Sequence, residues 1–390
     1  MADFFRTHKL ALLYCLKVFV GVRSALFVVG LLGVAVIPVN DHSGLPGWEL
    51  IEGPGWNNLF TAWERWDALW FLQIATDGYS PTDFSAAFFP LYPLLIRWSS
   101  PLVGGHPFAA ALLISNLAYL AAMFVFYELT RFEFDEATAR LSVLCLAVFP
   151  TSYFFVAPYS ESLFLLLSLS SLYAARLRRW EIAGACAALA SATRSIGLVL
   201  ALVLAVEGLM QFRNDREPGR GKRLALAWFW SAFAAVGTAV YFYYWYRSNG
   251  DPLTPLNDQN GWQRFFSWPW ETLRDGTRIG FQFIGQYAGG YHTLDWIFVV
   301  FGMAATAWVA VKTRPPYALY CLAGFVVPLF LAFAGRPFMS LPRFLIVLFP
   351  IYWAMARFAL RFKAEPLVIG VSAGGLGIMT LLFVTWYWVF

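Results

Sequence analysis

Long apolar runs separated by short polar connections recur along the whole chain. Many of these runs reach about 18 or more residues, the length at which an apolar stretch predicts a membrane-spanning helix. Spans are predicted near residues 14–37, 107–130, 139–157, 160–175, 223–246, 294–311, 316–334, 341–358 and 366–388. The pattern therefore predicts an all-α polytopic membrane protein.

Composition supports the same class. The 390 residues are 59% hydrophobic and 13% charged, whereas about 25% of the residues in a typical soluble domain are charged. A chain this apolar cannot cover its surface with polar groups, which excludes a water-soluble enzyme. We expect one helical bundle, a single domain over residues 1–390.

The basic residues predict the orientation of the spans. They lie in short clusters between apolar runs, and short Arg- and Lys-rich connections stay cytoplasmic. The clusters fall within residues 6–9, 131–140, 176–179, 213–223, 312–314 and 357–363. We expect a cytoplasmic amino terminus, an uncleaved first span, a location in the plasma membrane and no nucleic-acid partner, despite the net charge of +5.

One segment breaks the alternation. Residues 180–212 start and finish beside basic clusters, so the chain must cross twice or enter and return. Each half, about 181–193 and 196–210, is shorter than the ~20 residues of a full span. The prediction is a short helical hairpin with its tip at 194–197, where Arg194 is either a structurally paired arginine or a lipid-phosphate ligand.

Two large polar segments, about 38–106 and 247–293, are predicted on the non-cytoplasmic side. They are too polar to span and far longer than ordinary connections. No repeat relates the two halves of the chain, which disfavours a transporter built from inverted repeats. The four cysteines lie inside apolar segments without metal-ligand spacing, so we expect buried free thiols.

The stretch WERWDALWFLQIATDGY, residues 63–79, carries the main candidate for chemistry. At 100° per residue, Trp63, Trp70 and Ile74 fall within about 40° of one another, which predicts an interfacial helix with an aromatic face. Asp67 lies on that face, whereas Arg65 points to the opposite side. A partly desolvated carboxylate suits a general base, and a helix cap or an arginine partner is the alternative role for Asp67.

Other polar and aromatic residues are weaker candidates. Trp63, Trp66 and Trp70 can stack on a sugar or form an interfacial aromatic belt. Asp77 and Asp83 flank AAFFPLYP and are possible second carboxylates. Glu161, at the start of a span in PYSESLF, is a substrate ligand or an ordinary first-turn acid.

Two further arginines are expected on the outer side. Arg264 lies in NDQNGWQRFFSWPW and Arg343 in SLPRFLIVLFP. Either guanidinium can bind a phosphate through two parallel hydrogen bonds. Two carboxylates without histidines give no metal site, so no metal or other cofactor is expected.

These motifs together resemble the PIG-V family of mannosyltransferases, within the GT-C superfamily of multispanning glycosyltransferases. The matching pieces are RWDALWFLQIATDGY with AFFPLYP, then FPTSYFFVAPYSESLF and ATRSIGL. The family has Arg-Ser-Asn-Gly where this chain has Arg-Ser-Ile-Gly at 194–197, so an asparagine amide is missing. The resemblance implies a GT-C-like bundle of about 9–11 transmembrane helices, including the short hairpin.

The resemblance also implies an activity. Mannose would pass from a polyprenyl-phosphate donor to an acceptor hydroxyl on the non-cytoplasmic face, with inversion and with Asp67 as the base. Arg194, Arg343 and Arg264 would bind the donor phosphate, and Tyr79 and Ser195 would join the substrate-binding set. The expected partners are membrane lipid, the lipid-linked donor and a glycolipid or glycan acceptor. Another polyprenyl-phosphate sugar, or a flippase or transporter of lipid-linked sugars, is the alternative.

Overall fold

A computed structural model describes residues 2–38, 40, 58–286 and 290–387. Within these residues the chain is almost entirely helical, with one two-stranded ribbon. The α-helices are Ala2–Val36 (α1), Asn58–Thr61 (α2), Asp67–Asp77 (α3), Leu91–Ser99 (α4), Pro107–Glu133 (α5), Glu136–Val148 (α6), Glu161–Arg176 (α7), Trp180–Ser191 (α8), Val199–Asn214 (α9), Arg220–Phe233 (α10), Val236–Asn249 (α11), Thr254–Gly261 (α12), Pro269–Gln282 (α13), Gly290–Lys312 (α14), Pro315–Val326 (α15), Leu341–Leu345 (α16), Pro350–Phe362 (α17) and Glu365–Val384 (α18). The strands are Arg264–Phe266 (β1) and Leu331–Phe333 (β2), and they pair antiparallel.

The predicted polytopic membrane class is confirmed. Among the described residues, six helical stretches are long and apolar enough to cross a membrane. They are His8–Val36, Pro107–Glu133, Ser195–Asn214, Arg220–Asn249, Gly290–Lys312 and Glu365–Val384. The stretch Ser195–Asn214 corrects one expectation, because the second half of the hairpin reaches 20 residues and is long enough to span.

Three predicted spans are not continuous α-helices. The segment 139–157 leaves the α-helix after Val148, 316–334 ends in β2, and 341–358 is interrupted between α16 and α17. Pro150, Pro328 and Pro350 lie at these interruptions. Proline lacks the N–H that an interior helical position donates and disfavours helix in the residue before it. Hydrophobicity alone therefore overestimated the length of these helices.

The described chain divides into two compact units. Of the described residues, unit 1 comprises those within 1–77, 93–162 and 355–387, and unit 2 comprises those within 78–92 and 163–354. In unit 1, α1 packs against α5, α6 and α18. In unit 2, α8 and α9 pack on α10, and α15 packs on α14 and α9. The expectation of a single domain stays a prediction.

The predicted helical hairpin forms in unit 2. α8 and α9 are its arms, joined by the 3₁₀ turn Ser195–Leu198. The Ser191 hydroxyl donates to the Ala234 carbonyl over 2.7 Å, and Thr238 donates back to the Ser191 carbonyl over 3.2 Å. A Cβ on Gly237 would lie 2.1 Å from the Ala188 oxygen, so only glycine permits this close approach of α11. The hairpin tip is thus anchored by backbone contacts.

The four cysteines are free thiols, as expected. Cys15, Cys145 and Cys321 are buried, and Cys186 is partly buried. They contribute packing and no cross-link.

Candidate functional site

The carboxylate candidate of unit 1 lies at the start of a helix. α3 begins at Asp67, and residues 63–66 form a turn instead of the predicted helix. Trp66 adopts a left-handed conformation, with φ of 56°, which interrupts helical geometry before Asp67. The predicted aromatic face that placed Asp67 with Trp63 was therefore wrong. Asp67 is half-buried in the first turn of α3, where the helix dipole favours a negative charge.

Arg65 and Tyr159 fix the turn that leads into Asp67. The Arg65 guanidinium donates to the carbonyls of Val384 (3.0 Å) and Thr61 (2.7 Å). It also lies over the Trp386 ring, 4.9 Å from its centroid. The buried Tyr159 hydroxyl donates to the Arg65 carbonyl over 2.9 Å. The PYSESLF motif thus contributes a structural contact to the turn.

Sequence analysis missed Arg23, a buried arginine within α1. It donates through Nε to Asn116 Oδ1 and through Nη2 to the Phe155 carbonyl, both over 2.9 Å. Its guanidinium also lies 4.5 Å from the centroid of the Tyr119 ring. A charged residue this deep in an apolar helix is costly unless its donors are satisfied. The arginine interrupting the LKVFVGVRSALFVV run was the available signal.

The three candidate tryptophans differ in burial. Trp63 is completely buried and contacts Phe27 and Phe383, with ring centroids 5.7 and 6.3 Å away. It therefore offers no ring face to a sugar in this structure. Trp66 is also buried and meets Trp386 edge to face, whereas Trp70 is half-buried. A core role fits Trp63 and Trp66 better than sugar stacking.

Three other carboxylates of unit 1 are candidate partners of Asp67, one on α3 and two outside it. Asp77 is exposed at the opposite end of this helix, about 15 Å away at 1.5 Å per residue. Glu161 begins α7 as predicted but is fully buried. Glu64, which sequence analysis passed over, lies within the turn, and burial raises its pKa while Arg65 opposes the rise.

Two of the candidate arginines converge in unit 2. Arg194, at the hairpin tip, lies with its guanidinium carbon 5.6 Å from the centroid of the Phe344 ring. Arg264, in β1, lies 5.7 Å from the same centroid and donates to the Ser340 hydroxyl over 3.1 Å. The hairpin, β1 and α16 therefore bring two positive charges to one aromatic ring. Such a cation pair suits an anion with several oxygen acceptors.

Arg343 and Ser195 are adjacent in sequence to this pair. Arg343 precedes Phe344 on α16 and is half-buried. Successive side chains of a helix differ by about 100° in direction, so the Arg343 side chain leaves α16 in a different direction from the Phe344 ring. Ser195 is exposed at the first position of the 3₁₀ turn after Arg194. We name Arg194, Arg264 and Phe344 the arginine pair and its ring.

Tyr79 holds the AFFPLYP segment in place. Its hydroxyl donates to the Phe88 carbonyl over 2.7 Å, and the Tyr241 hydroxyl donates to the Ala86 and Phe88 carbonyls over 3.0 and 3.1 Å. The Tyr79 ring packs against Trp245, with centroids 5.6 Å apart. These contacts make Tyr79 part of an aromatic wall.

Asp258 was not expected at this wall. Its carboxylate accepts a hydrogen bond from the Ala86 backbone N–H over 3.2 Å. Burial raises the pKa of Asp258, and the nearby charge of Asp83 raises it further. Asp83 itself accepts from the Ser85 N–H over 2.9 Å. The two carboxylates thus order the start of the segment.

Within the described ranges, no three His, Cys, Asp or Glu residues group as a metal-ligand set.

These features define a multi-pass helical membrane protein with a carboxylate turn in one unit and an arginine pair in the other. Residues 21–250 match the family described as Mannosyltransferase (PIG-V), and the chain belongs to this family. The resemblance stated from the motifs is therefore confirmed.

Named relatives and a solved structure are similar to parts or most of the chain. GPI mannosyltransferase 2 of Cryptococcus neoformans is 30% identical over 151 residues, 36% of this chain and 35% of the relative. GPI alpha-1,6-mannosyltransferase 2 of Mus musculus is 32% identical over 161 residues, 39% of this chain and 31% of the relative. The matches thus span about a third of these relatives' length. ArnT from Cupriavidus metallidurans in the apo state aligns over 96% of this chain and 77% of its own, with TM-score 0.49 and 17% identity.

Proposed function

We propose that the protein transfers mannose from a polyprenyl-phosphate-mannose donor to an acceptor hydroxyl on the non-cytoplasmic face of the membrane. The observation that carries the proposal is the convergence of Arg194 and Arg264 on Phe344 in a member of a mannosyltransferase family. A phosphate monoester or diester presents the oxygen acceptors that guanidinium groups bind. A donor carried on an isoprenoid explains why the enzyme spans a membrane.

The proposed step is a direct displacement. The acceptor hydroxyl oxygen attacks the anomeric carbon, the bond from that carbon to the phosphate oxygen breaks, and polyprenyl phosphate leaves with the electron pair. The hydroxyl proton passes to the Asp67 carboxylate. One displacement inverts the anomeric centre, so a β-linked donor gives an α-linked mannoside.

Asp67 is proposed as the base because of its surroundings in unit 1. It is half-buried, and the turn before it is fixed by Arg65 and Tyr159. A positioned general base contributes on the order of a hundredfold to ten-thousandfold to a rate. Arg65 donates to backbone carbonyls, so its role here is structural.

In unit 2, Arg194 and Arg264 are proposed to bind the donor phosphate and to stabilise the charge that grows on it as the bond breaks. Arg343, which directly precedes Phe344 in α16, is proposed as a third basic residue. Ser195, exposed beside Arg194, and Tyr79, in the aromatic wall, are proposed to contact substrate. The acceptor class is proposed as a membrane glycolipid or glycan, since the named relatives are GPI mannosyltransferases.

The test is sugar transfer by the purified protein in lipid nanodiscs. Radiolabelled polyprenyl-phosphate mannose is the donor, with GDP-mannose and polyprenyl-phosphate glucose as comparisons. A crude membrane-lipid extract supplies acceptors, and a parallel reaction contains EDTA. We expect labelled product from the polyprenyl mannose donor alone, unchanged by the chelator and lost with Asp67→Asn.

Other outcomes would replace the proposal. Product from the glucose donor would mean that the protein catalyses the same transfer with a different sugar. In proteoliposomes, label that crosses the bilayer without donor cleavage would identify a flippase. A product that retains the donor's anomeric configuration would exclude the single displacement.

A further inference from the structure

Aromatic rings cover one exposed side of the segment around β1. We call Phe266, Trp268, Trp270 and Phe330 the aromatic strip. The Phe266 and Trp268 centroids are 5.3 Å apart, and Trp268 stacks on Trp270 at 4.9 Å with an interplanar angle of 8°. Phe330 stacks on Phe266 at 6.0 Å. Phe266, Trp268 and Trp270 are all exposed, so the strip is a continuous apolar surface.

The strip continues directly from the arginine pair. Successive side chains of a strand point to opposite faces, so Arg264 and Phe266 lie on the same face of β1 and Phe265 lies on the other. Leu331 and Phe333, the register partners of Phe266 and Arg264, share that first face. One face of the ribbon therefore joins a cation to an apolar surface within about 7 Å.

We propose that the aromatic strip binds the isoprene units nearest the phosphate of a polyprenyl-phosphate carrier. The inference rests on the proposed function and extends it from the phosphate to the lipid. An amphiphile with an anionic head and an apolar tail complements a face that carries Arg264 and then Phe266. The strip would thereby make the affinity depend on the length of the carrier.

The position of the strip between two candidate spans supports this occupant. β1 and α13 lie in the connection between Arg220–Asn249 and Gly290–Lys312. A connection between successive spans stays at one membrane face, where a membrane-embedded isoprenoid ends in its phosphate. A general interfacial anchor would need exposed aromatics on the ribbon, but it would not require them to share the face of Arg264.

Phe265 provides a matched control. It neighbours Phe266 in β1, is 49% exposed against 63% for Phe266, and lies on the opposite face. Neither ring is buried, so replacement by serine removes exposed apolar surface in both cases. The comparison of Phe266→Ser with Phe265→Ser therefore isolates the face of the strand.

The experiment measures both binding and transfer in nanodiscs. The binding probes are undecaprenyl phosphate and geranyl phosphate, and the donors are the mannosylated forms of the same two lipids. We expect Phe266→Ser to weaken binding of the long lipid about fivefold and to raise its KM equally. Geranyl phosphate carries the isoprene units nearest the phosphate, which would contact Phe266, so its binding should weaken by about the same factor. Phe265→Ser should change neither.

The outcomes separate the two proposals. If wild-type protein binds undecaprenyl phosphate with the expected strip dependence but transfers no mannose, the proposed function fails and the lipid site stands. If transfer proceeds and Phe266→Ser matches wild type for both lipids, the strip does not bind the carrier. Equal losses with Phe265→Ser and Phe266→Ser would identify a membrane anchor. An altered acceptor KM with an unchanged donor KM would identify an acceptor platform. Each of these last three results overturns the inference that the aromatic strip binds the carrier lipid.

Discussion

Arg23 in unit 1 and Arg194 in unit 2 both place a guanidinium within an apolar part of the chain, but their surroundings differ. Arg23 is 5% exposed and donates to Asn116 and to the Phe155 carbonyl. Arg194 is half-buried and shares the Phe344 ring with a second arginine. The first arrangement fixes a backbone segment, whereas the second concentrates positive charge. An intramembrane arginine is therefore best assigned from its neighbours.

Replacement of Asp67, the proposed base in unit 1, should give the largest effect. Asp67→Asn keeps the shape of the side chain but removes its basicity, so transfer should fall by at least about a hundredfold. Asp77→Asn, at the exposed end of the same helix, should stay within about twofold of wild type. Initial rates with saturating donor measure both. Comparable losses in the two variants would remove the base role from Asp67.

Replacement of Arg23 tests the structural half of the comparison. Arg23→Met leaves the partly buried Asn116 amide oxygen without its Arg23 donor and leaves the buried Phe155 carbonyl with only the Ser162 hydroxyl, so the free energy of unfolding should fall by about 2 kcal/mol. Thermal unfolding in nanodiscs measures the change. Arg97→Met, at an exposed arginine of α4, should leave the midpoint unchanged. If Arg23→Met unfolds like wild type but loses transfer, the contrast between the two arginines is wrong.

Replacement of Arg194 tests its proposed role as a phosphate ligand. Arg194→Lys keeps the charge but replaces a planar fork with a point charge, so the donor KM should rise about tenfold with little change in the unfolding midpoint. Arg247→Lys, at an exposed arginine of α11, is the control. An unchanged KM for the donor would count against phosphate binding by Arg194.

Replacement of the Phe344 ring, which both arginines contact, should have the smallest effect. Phe344→Leu keeps apolar volume but removes the aromatic ring that both guanidiniums contact, so the donor KM should rise about threefold to fivefold. The donor KM should also depend less steeply on salt concentration, because the ring no longer holds the two guanidiniums together. Phe338→Leu, at a buried ring packed against Gly276, controls for core loss. An equal rise in KM for both variants would reduce Phe344 to a packing residue.

Periodicity and charge predicted most of the fold. Among the described residues, five of the six candidate spans fall on predicted spans, the sixth falls on the second half of the predicted hairpin, and the hairpin tip is at 194–197 as expected. The failures occurred where local backbone chemistry overrides hydrophobicity. Trp66 adopts a left-handed conformation, and prolines interrupt three predicted spans.

The site was predicted less completely because its contacts join distant segments. Arg194 and Arg264 were both candidates, but 70 positions separate them and neither motif predicts a common ring. Phe344 lies in a run of apolar residues that has no sequence feature to distinguish it. Arg23 escaped notice for the opposite reason, since two charges, Lys17 and Arg23, did not alter the apolar character of the span.

The glycine that closes the hairpin tip limits how this protein can diverge. A Cβ on Gly197 would lie 2.5 Å from the Ala190 carbonyl carbon, whereas Ser195 is exposed and Ile196 is half-buried. Two of the three residues after Arg194 can therefore change without displacing its backbone. Positions 195 and 196 can therefore vary while Arg194 keeps its backbone position, and Ile196, which stands where the resemblance leads one to expect asparagine, is a substitution of this permitted kind.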